Sequence, residues 1–184
     1  MRKILIATNR QKVLNFLIRY PGNEFLEKEI QKATKISKSG TNFALRDLVK
    51  TRLVKKQKRG KISFYSITFN HPIVKQLKVL ETLVNLEPLM EKVKELSKKI
   101  VLYGSCSRGE NTSESDIDLF IVTNNSNLIR EAMKKNKISE RIKLIVRSPL
   151  EYIEMEKTDP TFYKEVELGI TLWESKDESS IKRK

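Results

Sequence analysis

The chain is 184 residues long, room for two small domains that each bury a modest core. Its 37 Lys and Arg against 23 Asp and Glu give a formal charge of +14, yet residues 1–80 hold 19 basic and 4 acidic side chains and the remainder 18 and 19; that asymmetry points to a nucleic-acid-binding module joined to a domain with another task. A single cysteine, Cys106, excludes an intramolecular disulfide, a single histidine, His71, leaves no zinc cluster to build, and no apolar run approaches a membrane span, so a cytoplasmic protein without a membrane partner is expected.

The apolar run Ile4 to Ala7 is too short for the core of a secretory signal. Val13, Leu14, Leu17 and Ile18 recur at helical spacing, and Pro21-Gly22 ends the helix they predict. Phe25, Leu26, Ile30 and Ala33 describe a short second helix. After Lys35-Ile36-Ser37 a third runs with Ala44, Leu45, Leu48 and Val49 on its buried stripe. Leu53-Val54, a polar turn at Lys58-Arg59-Gly60-Lys61, and the alternation Ile62, Phe64, Ser66 then predict a β-hairpin.

Three helices and a basic hairpin resemble a winged helix-turn-helix, and the resemblance implies duplex DNA as partner, with the third helix in the major groove and the hairpin, or wing, on the backbone. The side chains off the buried stripe of that helix are Lys38, Ser39, Thr41, Asn42 and Arg46; the wing adds Lys55, Lys56, Lys58, Arg59 and Lys61. Short hydrogen-bonding groups suit base edges and long cations suit phosphate.

His71 is expected at the surface, entering a helix that Pro72 begins. Ile73, Val74, Leu77, Val79, Leu80, Leu83, Val84 and Leu86 cover more than one amphipathic stripe, and Pro88 is expected to interrupt that helix. It serves either to pack between two domains or to form a homodimer whose two reading helices lie about one DNA turn apart. Leu89, Val93 and Leu96 continue towards the next strand.

The apolar run Ile100-Val101-Leu102-Tyr103 leads into Gly104-Ser105, and Asp116-Ile117-Asp118 follows ten residues later. On a strand both carboxylates share one face while Ile117 and Leu119 enter a core, which makes a metal-binding edge. A glycine-serine turn at a strand end offers free backbone N–H groups to phosphate. Phosphate beside a divalent cation is what phosphoryl or nucleotidyl transfer requires. Cys106 is expected as a small buried residue beside the turn.

Gly104-Ser105-Cys106-Ser107-Arg108-Gly109-Glu110, followed by Ser115-Asp116-Ile117-Asp118-Leu119, resembles the signature of the minimal nucleotidyltransferases of the DNA polymerase β superfamily, from about residue 88 to the closing strand pattern Gly169 to Glu174. The expected fold is α+β: a winged helix-turn-helix over 1–71, a connector helix over 72–87, a nucleotidyltransferase-like domain with a mixed sheet and flanking helices over 88–174, and a disordered tail over 175–184. The resemblance implies that Gly104, Ser105 and Arg108 bind the phosphates of a nucleoside triphosphate, ATP above all. It also implies that Asp116 and Asp118 are catalytic ligands of Mg2+. A salt bridge from Arg108 to Glu110 or Glu114 is the alternative for that residue. In the segment Arg141 to Arg147, Lys143 stands where the family carries a third carboxylate, with Glu151 or Glu110 as substitutes from a loop.

Two functions follow. One is Mg2+-dependent transfer of AMP to a protein or nucleic-acid hydroxyl, including the related family role of antitoxin to a small helical ribonuclease toxin. The other is a transcriptional regulator whose degenerate transferase domain binds nucleotide as an effector or serves as an interaction surface.

Overall fold

In a computed structural model of the chain, which describes residues 7–134 and 137–175, Thr8 opens the first helix, α1 (Asn9–Arg19). The Thr8 hydroxyl accepts the Gln11 N–H while the Gln11 side chain accepts the Thr8 N–H at 2.9 Å, so two orphan donors are satisfied reciprocally. The residues Ile4 to Ile6 and the expected tail from Lys176 onward lie outside the described residues. The chain divides into two compact units: the first ends at Leu80 and takes in Thr112–Glu114, and the second holds the rest.

In the first unit, β1 (Phe25–Leu26), α2 (Glu27–Thr34), α3 (Lys38–Lys50), β2 (Val54–Arg59) and β3 (Ile62–Ile67) follow α1. The sheet is antiparallel, in the order β1-β3-β2. Phe25 and Leu26 are strand residues opposite Tyr65 and Phe64, where the sequence pattern predicts the start of a helix. The reason is local: the Glu29 carboxylate accepts the Leu26 N–H at 2.7 Å, so the helix starts at Glu27, and Phe25 meets Phe16 ring to ring at 4.9 Å. The core face of β3 is Tyr65 and Ile67, each 5% exposed, rather than the Ile62, Phe64, Ser66 alternation, and Ile62 at the wing end is 52% exposed. Val13, Leu17, Ile30 and Leu45 are all but fully enclosed, each burial contributing about 2 kcal/mol.

α4 (Pro72–Val93) runs 22 residues without a break at Pro88, which corrects the interruption expected there. Proline removes one hydrogen bond, to the Val84 carbonyl, but Leu86 and Leu89 on either side are fully buried, and their packing holds the helix together. At the helix start, His71 Nδ1 accepts the Ile73 N–H at 3.2 Å.

The second unit continues from α4 through a 3-10 turn (Lys94–Leu96) to β4 (Lys99–Tyr103), α5 (Gly104–Arg108), β5 (Ile117–Val122), α6 (Ser126–Lys134), a 3-10 turn (Lys137–Arg141), β6 (Ile142–Arg147), α7 (Pro149–Thr158), α8 (Pro160–Glu167) and β7 (Ile170–Glu174). The sheet order is β6-β5-β4-β7. β5 and β6 are parallel, joined by the crossover through α6, and the other pairs are antiparallel. Alternation sends Ile100, Leu102, Leu119 and Ile121 to a face packed with Leu86, Leu89, Val93 and Ile129. It sends Val101, Tyr103, Phe120 and Val122 to the opposite face, under Met155 and Val166. Lys99 Nζ donates to Tyr152 Oη at 2.8 Å and to Glu167 Oε1 at 2.9 Å, tying α7 and α8 to β4. The Tyr152 hydroxyl is pushed far above its ordinary pKa by burial and by its hydrogen bond to Glu167, so it remains a donor.

The fold is therefore α+β, with three helices and a small antiparallel sheet of winged-helix type followed by a mixed sheet with helices on both faces. No helix among the described residues is long and apolar enough to cross a membrane.

Candidate nucleotide site and nucleic-acid face

The nucleotide site grows from the end of β4. Gly104 turns the chain at φ +68°, a left-handed conformation that favours glycine. A Cβ there would overlap the Asp118 carboxylate, so position 104 is a cradle shaped by the absence of a side chain. α5 is a single short helix, closed by Gly109 at φ +67°. It is pinned from below: the Glu110 N–H donates to the Ser105 carbonyl at 2.9 Å, Ser107 Oγ to the Gly104 carbonyl at 2.8 Å, and the Cys106 thiol, 1% exposed, to the Asp116 carbonyl. The burial expected of Cys106 is thus observed, with a role in joining the turn to the start of β5.

Register sets the row of side chains beside that cradle. Tyr103 on β4 pairs with Asp118 on β5, and Asp118 pairs with Lys143 on β6, so all three lie abreast on one face of the sheet. Asp116 is exposed and stands immediately before the first residue of β5, two positions from Asp118, on which its charge acts. Burial raises the Asp118 pKa, Lys143 opposes that rise, Asp116 and Glu165 reinforce it, and Arg108 opposes it again. Tyr103, 5% exposed, is pushed up to about 12 by burial, with Asp118 and Glu165 adding to the shift. Four charged side chains therefore act on the Asp118 carboxylate.

Arg108 Nε donates to Glu110 Oε2 at 3.1 Å, the salt bridge weighed against the phosphate role, while its field also reaches Asp118. With Glu110 so engaged, the other proposed substitute acid is occupied too. Glu151 closes the capping box of α7, accepting the Ser148 N–H at 2.6 Å, and that bond holds its carboxyl below the usual range. Sequence reasoning missed Glu165: α8 brings it towards Asp118 from 47 positions away, and nothing in the local sequence signals that approach.

Among the described residues no group of three or more His, Cys, Asp or Glu is placed to hold a metal ion. Asp116 and Asp118 with the side-chain-free turn at Gly104 do fit one Mg2+, which keeps several waters and takes phosphate oxygens beside one or two carboxylates. The same residues do not fit a second, protein-ligated ion.

On the first unit, the exposed face of α3 carries Lys38, Ser39, Asn42 and Arg46. Thr41 is a correction: it is fully buried, and its hydroxyl donates to the Ser37 carbonyl at 3.0 Å, because position 41 falls on the core stripe with Ala44, Leu45 and Leu48. Asn42 Nδ2 donates to Glu27 Oε2 at 3.1 Å. On the wing Lys55, Lys56, Lys58 and Lys61 are exposed. Arg59 lies over the Phe64 ring, 4.8 Å from its centroid, and pairs with Glu24 at 2.6 Å. Its charge is therefore already partly met.

Residues 86–173 match the family model described as "Nucleotidyltransferase domain", a match that spans most of the second unit. No curated protein matches the chain. Among solved structures, human N-acetylserotonin methyltransferase in complex with SAM aligns at 21% identity and a TM-score of 0.32, over 52% of this chain and 31% of that one. The chain thus spans about a third of the length of that protein.

Proposed function

We propose that the chain is a DNA-binding regulator whose nucleotidyltransferase domain takes up a Mg2+-bound nucleoside triphosphate, ATP above all, as an effector and transfers nucleotide slowly. The observation that carries this reading is the register pairing of Asp118 with Lys143, which sets an ammonium beside the carboxylates. Gly104 leaves room against Asp118, and Ser105 with the neighbouring amides faces the β- and γ-phosphates. Arg108 exchanges Glu110 for phosphate. Asp116 and Asp118 hold the metal, and Mg2+ bound there neutralises phosphate charge and polarises the reacting phosphorus. Lys143 competes for the same carboxylates and contributes no oxygen, so an acceptor hydroxyl is poorly activated.

A second reading, transfer of AMP to a protein or nucleic-acid hydroxyl, is favoured by the domain match itself. Antitoxin action on a small helical ribonuclease belongs to that reading. Labelled triphosphate, Mg2+ and candidate acceptors separate the two. The regulator reading expects little wild-type transfer and a rise in Lys143→Asp, where an oxygen ligand replaces the competing cation. Robust wild-type transfer abolished by Lys143→Asp would make the lysine part of the chemistry and end the regulator reading.

A further inference from the structure

Ser39, Asn42, Phe43 and Arg46 fall at i, i+3, i+4 and i+7 on α3, opposite the buried stripe of Thr41, Ala44, Leu45 and Leu48. Phe43 lies at the centre of this polar row and is 63% exposed. A lone exposed apolar residue is ordinary on a protein surface. This one is a large aromatic ring on a helix that is capped by Ser37 and also exposes Lys38 and Arg46. It also belongs to the half of the chain with 19 basic and 4 acidic residues, a charge balance that suits a polyanionic partner.

Charge complementarity narrows the occupant. Duplex DNA is a polyanion that also presents an apolar group to a helix, since its major groove carries the C5-methyl of thymine beside hydrogen-bonding base edges. We infer that Phe43 is a specificity-determining residue that packs against a thymine methyl in the major groove, while Ser39 addresses polar edges, Asn42 exchanges Glu27 for such an edge, and Lys38 and Arg46 meet the backbone. The inference rests on the DNA-binding reading above and deepens it.

The test uses the intact chain. A preferred duplex is selected from a random pool, and each of its thymines is then replaced singly by deoxyuridine, which removes only the methyl group. Wild type loses affinity about fourfold at one position, the worth of one methyl withdrawn from water. Phe43→Ala binds the parent duplex more weakly and loses nothing further at that position, with an unchanged salt slope. Deoxyuridine without effect at every position overturns the inference, and the wild-type series reads this without any variant. So does an equal deoxyuridine penalty in wild type and Phe43→Ala. DNA bound with a normal salt slope but no deoxyuridine effect leaves the DNA-binding reading standing, whereas no duplex bound at all removes both. A dimer seen by sedimentation without DNA and lost in Phe43→Ala assigns the ring to a second copy and overturns the assignment to DNA.

Discussion

At position 104 two demands coincide: a backbone at φ +68° and no room for a Cβ against Asp118. Gly104→Ala is therefore expected to destabilise the chain by at least about 1–2 kcal/mol, the cost of the left-handed region alone, and to displace Asp118. Denaturant unfolding reads the first effect and nucleotide titration the second. Asp118 shows the opposite balance. Its folded pKa is raised, so the stability it contributes is fully present below its unfolded pKa and is lost as pH rises through the folded value. Asp118→Asn should melt higher than wild type at neutral pH without metal, with the gap closing as pH falls. Equal melting temperatures at neutral pH would show that the carboxylate is not destabilised there.

The helices explain what the sequence pattern revealed and what it concealed. Gly104-Ser105 and Asp116-Ile117-Asp118 were legible because they stand at the end of one strand and the start of the next, which the apolar runs beside them mark locally. The burial of Thr41 follows from the same 3.6-residue period that places Ala44, Leu45 and Leu48, yet its polar hydroxyl hides the fact because it is satisfied within the helix. Phe25 and Pro88 depart from their local signals because ring packing in one case and the buried Leu86 and Leu89 in the other outweigh propensity. Glu165 was illegible because only the tertiary placement of α8 brings it to the site. Glu151 could be read as a spare carboxylate, but it is a cap. Removing the cap by Ser148→Ala should cost about 1 kcal/mol in denaturant unfolding. Because the Glu151 pKa is lowered, its contribution is present above the unfolded pKa and is lost as pH falls through the folded one. Glu151→Gln should therefore lower stability at neutral pH and leave nucleotide affinity unchanged; a large loss of nucleotide affinity would return Glu151 to the site.

Across the whole molecule the charge is segregated, and so are the two proposed activities. With about five phosphates contacted per protomer, the log-log dependence of DNA affinity on salt should have a slope near −4 to −5, and replacing Lys58 and Lys61 by alanine should reduce its magnitude by about 2. A slope near zero would assign the basic face to something other than nucleic acid. The central claim, that the nucleotidyltransferase domain binds a triphosphate through Mg2+ held by Asp116 and Asp118, is tested most directly by titration calorimetry with ATP, with and without Mg2+. Wild type should show affinity that depends on the metal, and Asp116→Asn combined with Asp118→Asn should lose that dependence while keeping its fold by circular dichroism. Unchanged metal-dependent affinity in the folded double variant would contradict the account.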